Sequence, residues 1–281
     1  LEMNEAAEKS GKVFGIMFQQ RTNPLYQKLK NMIETNQFGH IKKVIWIITD
    51  WYRPEIYHKS ATWRSTWAGE GGGTIINQNP HNLDLWQWMF GMPDRLTAFC
   101  SWGKYYNIEC DDDVTIYMQY DNGTTGIYTT STAEAPGTNR LEISTDMGKV
   151  VIENGAFTFF RNTVSEREFS KTNKSAFSKP ECWECKIPVT QSDKHAHCQI
   201  LDNFADAIRE NKPLLAKGVD GIYEMTISNA IYMSDWLGNE AIDLKNFDHQ
   251  RFYELLMQKV EISKTKTKEV ERIVADTTGS Y

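Results

Sequence analysis

The spacing of apolar residues divides this chain of 281 residues into three stretches. Up to about residue 94, apolar residues recur mostly with helical spacing. From 95 to 161, apolar and polar residues alternate with a period of two, which is typical of half-buried strands. From 193 onward the helical spacing returns. Successive short strands with tight turns, flanked by helices, predict an α+β fold with a mainly antiparallel open sheet and helices on one face.

The first stretch predicts a helix over 1–10, ended by Gly11, and a buried strand over 13–18. A helix followed by a buried strand is the closing unit of a doubly wound domain, so we interpret residues 1–20 as a remnant of one. A second helix opens with Asn23 as N-cap and Pro24 as first residue. A strand over 41–51 then ends in the aromatic and charged cluster of Trp51 and Arg53, with Tyr57 in the following loop. Such a cluster marks either the edge of a site or a polar loop.

The middle stretch predicts a series of strands connected by turns. The strongest turn signal is Asp121-Asn122-Gly123, which joins two strands into a hairpin. Residues 171–192 are predicted to be a loop. The predicted strands cover 95–102, 114–120, 125–132, 140–145, 149–153, 156–161 and the region near 167–170, and the later helices cover 193–211, 219–237 and 248–260.

The densest chemistry lies between Trp63 and Gly91, in the sequence WRSTWAGEGGGTIINQNPHNLDLWQWMFG. The three glycines at 71–73 allow either a close approach of the backbone or a positive φ. Pro80 leaves two alternatives open. A helix begins at Pro80 with Asn79 as N-cap, or a helix begins near Thr74 and kinks at Pro80. Both place Asn77 and His81 close together.

A neutral histidine beside an amide suits general base catalysis. The imidazole has an ordinary pKa of about 6.5, which fits proton removal near neutral pH. On spacing alone, a packed or solvent-facing histidine remains the commoner case. Asp84, three residues after His81, either holds His81, stabilises the helix start or is a charge on the helix surface.

Composition is that of an ordinary globular protein, with 40% hydrophobic and 24% charged residues and a formal net charge of −6. No basic patch interleaved with aromatic residues predicts a nucleic-acid partner. The longest aliphatic run, 44–48, is too short to span a bilayer, and the polar N-terminus lacks a signal-peptide core. Five cysteines, an odd number, favour a reducing cytoplasm over a disulfide framework.

Several motifs, in this order, resemble the glucose–fructose oxidoreductase and inositol dehydrogenase (Gfo/Idh/MocA) family. Any one of them alone is weak, but together they extend over nearly the whole chain. Members carry an Asp or Asn four residues before a His. The motifs are FQQRTNP at 18–24, Trp63-Arg64, the glycines at 71–73, Asn77, His81, Asp84, EAPGTNRLEI at 134–143 and NFADAIRENKPL at 203–214.

The resemblance implies an NAD(P)-dependent oxidoreductase that acts on a sugar, cyclitol or related polyol. It implies that 1–20 is a remnant of the dinucleotide-binding domain and that 21–281 is a substrate-binding domain that forms a homodimer or tetramer through its sheet. No G-x-G-x-x-G follows a strand, so we expect the chain to be a fragment that needs a preceding cofactor domain and is inactive alone. The implied roles are His81 as base and Asn77 as a hydroxyl-orienting amide, with Trp51, Arg53, Tyr57 and Asp84 on the substrate side and Arg21, Asn23, Trp63 and Arg64 on the cofactor side.

Two other hypotheses compete with this one. A non-catalytic sugar-binding or assembly protein would keep the pocket without the redox chemistry. A zinc-stapled interaction module would use the two cysteines at 182 and 185 with His195, His197 and Cys198, but this spacing fits no standard zinc site and we predict no metal. We interpret the three aspartates at 111–113 as a solvated run rather than a cation site.

Overall fold

The computed structural model describes residues 1–190 and 192–263, so the polar and charged sequence beyond Glu261 lies almost wholly outside the described residues. The helices are α1 (Glu2–Ser10), α2 (Pro24–Glu34), α3 (Glu55–Lys59), α4 (Pro80–Phe90), α5 (Glu166–Thr172), α6 (Ala196–Glu210), α7 (Gly221–Trp236) and α8 (His249–Ile262). The strands are β1 (Ile41–Ile48), β2 (Arg95–Trp102), β3 (Asp111–Gln119), β4 (Thr125–Ser131), β5 (Asn139–Thr145), β6 (Gly148–Glu153), β7 (Ala156–Asn162), β8 (Cys182–Lys186) and β9 (Ile242–Asp243).

The chain forms two units. The first unit comprises Leu1–Ile41, His81–Met92 and Ser144–Ile227. The second comprises Lys42–Pro80, Pro93–Ile143 and the segment from Ser228 onward. No helix among the described residues combines the length and the apolar composition that crossing a bilayer requires.

The second unit contains the longer run of strands, in the order β5-β1-β4-β3-β2-β9. Its pairs are antiparallel from β4 to β9, whereas β1 and β4 run parallel. The turn between β3 and β4 has Gly123 at φ 86°, a left-handed conformation that favours glycine. Alternation along each strand buries one face completely, with Val44, Trp46, Ile48, Leu96, Ala98, Val114, Ile116, Met118 and Tyr128 at 0% exposure.

The first unit pairs β6, β7 and β8 in antiparallel fashion. A small cluster next to α6 joins Phe18, Ile200 and Ala216, all buried. In α2 the side chain of Asn23 accepts a hydrogen bond from the backbone N–H of Leu25 at 3.0 Å, so the predicted cap is present.

The predicted α+β class, with mainly antiparallel strands and helices, is confirmed. The helix over 1–10, the strand over 95–102 and the hairpin around 121–123 are present within two or three residues of their predicted bounds. These elements share strong local signals, namely a left-handed Gly11 after the helix, clean alternation in the strand and the Asp-Asn-Gly turn.

Three predictions about elements are wrong. Residues 13–18 form one isolated bridge, between Gly15 and Lys217, rather than a strand. The strand predicted near 167–170 is α5, because the Ser165 hydroxyl accepts from the Glu168 backbone N–H at 3.2 Å and caps a helix. The loop predicted over 171–192 contains β8, an exposed strand at the end of the sheet whose sequence, CWECK, has no apolar alternation.

A buried ion pair ties the start of the first unit to α4. The guanidinium of Arg21 is 2% exposed and donates twice to Asp84, from Nη2 to Oδ1 at 2.6 Å and from Nε to Oδ2 at 2.9 Å. Its Nη1 also donates to Asp220 at 2.8 Å and to the Leu215 carbonyl at 3.0 Å. Burial alone would lower the pKa of Arg21, but the hydrogen bonds and charges of the two aspartates outweigh it and raise that pKa. Arg21 therefore stays charged, and the carboxylates of Asp84 and Asp220 balance its charge.

We expect Asp84→Asn to lower the free energy of unfolding by roughly 3 kcal/mol, because it leaves a buried guanidinium with one carboxylate fewer. The lower end of the usual range applies because Asp220 remains. Urea unfolding followed by circular dichroism measures the change. The matched control is Glu5→Gln, which removes an exposed pair with Lys9 and should change nothing measurable. Equal effects of the two substitutions would contradict the buried pair.

Candidate active site

The glycine-rich turn at 71–73, in the second unit, has both features that its sequence predicts, a positive φ and a close approach of the backbone. Gly71 has a φ of 78°. At Gly73 a Cβ atom would lie 2.3 Å from the backbone oxygen of Asp111, so only glycine fits there. The turn therefore lies directly against the first residue of β3.

Asp111 holds this turn through its side chain. The carboxylate accepts the backbone N–H groups of Gly73 at 2.8 Å and Ile75 at 2.9 Å, and also the hydroxyl of Tyr232. Its neighbour Asp112 accepts three backbone N–H groups, from residues 104–106. Both aspartates are buried, so the prediction of a solvated run at 111–113 is wrong. Their burial is tolerated because the carboxylates are hydrogen-bonded to backbone donors.

The structure combines the two alternatives for Pro80. A π-helical turn spans Thr74–Gln78, and the backbone N–H of Asn79 donates to the Thr74 carbonyl at 3.1 Å. The α-helix α4 then begins at Pro80, a favoured first position. The Asn79 side chain bonds to the Thr74 carbonyl and to the Tyr128 hydroxyl. Pro80 thus separates a π turn from an α-helix, and π turns of this kind often occur at functional sites.

Asn77, on the π turn, is exposed and is held by three neighbours. Its Oδ1 accepts from the Tyr57 hydroxyl at 2.9 Å and from Nε2 of Gln78, and its Nδ2 donates to Oε1 of Glu70. These bonds fix the orientation of the amide, with Oδ1 toward Tyr57 and Nδ2 toward Glu70. Asn77 is therefore an oriented group in a polar pocket, and not a loose surface side chain.

Two arginines lie over the ring of Tyr57. The guanidinium carbons of Arg53 and Arg64 are 5.2 and 4.3 Å from the ring centroid, within the range of a cation–π contact. Arg64 also donates to the Tyr57 hydroxyl at 2.6 Å and lies 4.6 Å from the ring of Trp63, whose side chain is 46% exposed. Arg53 lies 5.5 Å from the ring of Trp51. The structure therefore brings all five of these candidates into one aromatic and cationic group.

Most of the residues that line the pocket next to this group have polar side chains. Glu70, which no sequence motif singles out, directly precedes the three glycines and accepts a hydrogen bond from Asn77. The sequence signal for Glu70 is its place beside a turn that allows a close approach of the backbone. The pocket is lined by Arg53, Tyr57, His58, Ser65, Glu70, Gly73, Thr74, Asn77, Gln78, Asp111 and Thr132.

His81 lies in the first turn of α4 within the first unit. Its Nε2 is 3.5 Å from Nε2 of Gln19, and its ring meets Phe18 edge-on with centroids 6.3 Å apart. Its Nδ1 is buried and has no hydrogen-bond partner in the described part of the chain. Burial, and secondarily the charge of His197, lower the pKa of His81. One ring nitrogen of a neutral histidine is thus left without a protein partner.

Asp84 and Arg21 differ from their predicted roles. Asp84 is fully buried, and its carboxylate is occupied by Arg21 and by Gln87 at 2.9 Å, so it is neither a surface charge nor a group that holds His81. The guanidinium of Arg21 is occupied by its ion pair with Asp84. Asn23 uses its side-chain oxygen to cap α2. These three residues support the fold of the first unit, and a contact with substrate or cofactor stays a prediction.

The cysteines and histidines of the zinc hypothesis are separated by element. Cys182 and Cys185 lie on β8, whereas His195, His197 and Cys198 lie at the start of α6. Within residues 1–190 and 192–263, no group of three or more His, Cys, Asp or Glu side chains is arranged to hold a metal ion.

Comparison with solved structures finds the same fold in several oxidoreductases. WlbA dehydrogenase from Bordetella pertussis, solved in complex with NADH and UDP-GlcNAcA, is 22% identical with a TM-score of 0.67 over 86% of this chain and 66% of that one. Aldose–aldose oxidoreductase from Caulobacter crescentus, complexed with glycerol, is 16% identical with a TM-score of 0.68 over 86% and 67%. The chain thus spans just under two thirds of the WlbA chain.

Comparison with family models identifies the segment that contains most of the second unit. Residues 26–151 match the C-terminal domain of the GFO/IDH/MocA family. The segment includes the glycine-rich turn, Asn77 and His81, on which the resemblance in the sequence depends. This match assigns residues 26–151 to the C-terminal domain of the GFO/IDH/MocA family and confirms that resemblance.

Proposed function

We propose that this chain is the substrate domain of an NAD(P)-dependent oxidoreductase that acts on a sugar, cyclitol or related polyol. The observation that carries the proposal is the oriented amide of Asn77 in a polar pocket inside the segment that matches the family. A pocket lined with hydrogen-bonding groups suits a ligand rich in hydroxyls. The similar WlbA and aldose–aldose oxidoreductase structures contain UDP-GlcNAcA and glycerol.

His81 is the proposed general base. Oxidation of an alcohol removes the hydroxyl proton and a hydride from the same carbon. His81 takes the proton at a ring nitrogen, and its lowered pKa keeps the ring neutral and ready to accept it. When bound, the nicotinamide accepts the hydride.

Asn77 orients a substrate hydroxyl and takes no proton, because an amide is not a base at neutral pH. Family members with Asp at this position have an acid there, so the chemistry of position 77 differs in this chain. Trp51, Arg53 and Tyr57 form the aromatic and cationic wall beside it.

The residues expected on the cofactor side fit a nicotinamide cofactor only in part. Trp63 presents an exposed ring, and Arg64 lies over it with a cationic group, so both suit contact with a bound dinucleotide. Arg21 is buried and consumed by aspartates, and the sequence has no glycine fingerprint for the pyrophosphate. We therefore propose that NAD or NADP is held mainly by a separate dinucleotide-binding domain, and that this chain alone binds it weakly and shows no turnover.

We also propose a homodimer or tetramer that associates through the outer face of the sheet. On this face of the second unit, Tyr117 lies between Thr97 and Ile127 in the register, and Phe99 lies opposite Thr115. Phe99 is 55% and Tyr117 is 40% exposed. Two exposed aromatic side chains at neighbouring outward positions, set among threonines, support an interaction surface on this face.

Phe99→Glu should convert the assembly to monomers, because it replaces an exposed aromatic side chain of the proposed interface with a charge. Size-exclusion chromatography with light scattering at tens of micromolar measures the mass. Tyr253→Glu, an exposed aromatic on α8, is the matched control and should leave the mass unchanged. A wild-type monomer at this concentration would exclude the proposed interface.

His81→Ala should lower kcat about 10²–10⁴-fold with little change in cofactor affinity, because it removes a positioned base. The assay uses the complete enzyme, meaning this chain joined to a dinucleotide-binding domain, with polyol and NAD or NADP. His249→Ala on α8 controls for loss of a histidine. Turnover within a few fold of wild type would return His81 to a packing role.

The titration of His81 should occur below the ordinary imidazole value of about 6.5, since burial disfavours the charged ring. The unfolded chain then binds more protons at this site than the folded chain, so this group costs stability as the pH falls below about 6.5. NMR of labelled histidine measures the midpoint. His197→Asn should raise the midpoint, whereas His249→Asn should not; a midpoint at or above 6.5 in the wild type contradicts the burial argument.

A further inference from the structure

Glu70 occupies a position in the second unit that neither the motifs nor the family resemblance assign. Its Oε2 accepts the backbone N–H of Ser65 at 2.6 Å, and its Oε1 accepts Nδ2 of Asn77. The side chain is half-buried and lines the polar pocket. Each carboxylate oxygen has a second acceptor site beyond these bonds, since an ionised carboxylate offers about four in all.

The hydrogen bonds around Asn77 fix what its amide can still offer. Both bonds to Oδ1 come from the protein, from the hydroxyl of Tyr57 and from Gln78. The Tyr57 hydroxyl is in turn held by Arg64 at 2.6 Å and by Gln78 at 2.8 Å. Because the Oδ1 end faces Tyr57, the Nδ2 end must face Glu70. One Nδ2 proton goes to Glu70 and the second is left for a ligand.

A carboxylate oxygen that accepts and an amide proton that donates, held side by side, match the two capacities of a hydroxyl group. A hydroxyl donates one hydrogen bond and accepts others. Two carboxylates would offer no donor, and two amides would offer no charged acceptor. Hydrogen bonds to a charged group are also the stronger ones.

We propose that Glu70 and Asn77 together bind one hydroxyl of the polyol, which donates to the Glu70 carboxylate and accepts the second Nδ2 proton of Asn77. The inference rests on the proposed function and adds a specificity-determining residue to it. Glu70 thereby supplies the carboxylate that position 77 lacks in this chain. Burial raises the pKa of Glu70, against the opposing effects of the Ser65 N–H, Arg64 and Asn77.

A purely structural role is the alternative, in which Glu70 only closes the turn through the Ser65 N–H. Exchange of the two side-chain types separates the roles. Glu70→Gln leaves two amides, Asn77→Asp leaves two carboxylates, and the double variant restores one of each in reversed order. The restored pair can again bind a hydroxyl. The bond to the Ser65 N–H is the same in Glu70→Gln and in the double variant, because a glutamine oxygen accepts it in both.

The experiment measures kcat and KM of the complete enzyme with myo-inositol, D-glucose and glycerol as probes. We expect each single variant to raise KM for the accepted polyol about 10–100-fold, the effect of losing one hydrogen bond to a charged group. The double variant should recover at least tenfold of this loss. Glu55→Gln, an exposed carboxylate paired with Lys59 on α3, is the matched control and should keep the wild-type KM.

Different outcomes overturn the hydroxyl site and the proposed function. Unchanged KM in Glu70→Gln, or a double variant no better than the worse single variant while melting temperatures stay equal, overturns the hydroxyl site and leaves the proposed function standing. If the wild-type enzyme oxidises none of the probes, the proposed function fails. The pair is then judged by NMR of this chain. The Asn77 side-chain N–H₂ resonances must shift when Glu70 is changed to Gln, and in the wild type, but not in that variant, they must also shift on addition of about 0.1 M myo-inositol. Failure of either shift overturns the proposal.

Discussion

The arrangement of the candidate site depends on the buried carboxylate of Asp111. A carboxylate away from water is costly unless its oxygens are hydrogen-bonded. Here it is bound by the backbone N–H groups of Gly73 and Ile75 and by the hydroxyl of Tyr232. These contacts attach the glycine-rich turn to the first residue of β3, at a distance that only a glycine at position 73 allows. The turn cannot move away from the sheet without leaving a buried charge and two N–H groups unpaired.

The π turn that follows carries this constraint to the pocket. Because Ile75 is fixed, Asn77 two residues later projects from a defined backbone, and its amide meets Glu70 and Tyr57. The arginines over Tyr57 add rigidity to the same wall. A turn built in this way holds its polar groups in place before a ligand arrives, which reduces the entropy lost on binding.

Features with local causes were predictable from the sequence. The helix after Asn23-Pro24, the hairpin at 121–123 and the strand β2 each follow from a cap, a turn or an alternation that lies within a few residues. The capping pattern Ser165-x-x-Glu168 is also local, and it makes α5 a helix where a strand was expected.

Features with distant causes were not predictable. Asp111 looked like part of a solvated acidic run because the donors that bury it lie 36 to 121 residues away. Asp84 pairs with Arg21 across 63 residues, so its buried role could not be read from the helix that carries it. Glu70 was overlooked because its importance comes from a contact with Asn77 that depends on the fold of the turn. The family motif indicated where a candidate site lies, whereas the contacts of the individual residues within it became visible only in the structure.

The central claim is that a polyol hydroxyl binds in the pocket which the Asp111-anchored turn creates. A crystal structure of the complete enzyme, grown with NAD and soaked in myo-inositol, tests it most directly. We predict one hydroxyl within about 2.6–3.2 Å of both a Glu70 carboxylate oxygen and Nδ2 of Asn77, the normal range for such hydrogen bonds. An ordered polyol bound elsewhere, with Glu70 and Asn77 contacting only each other and water, would contradict the account.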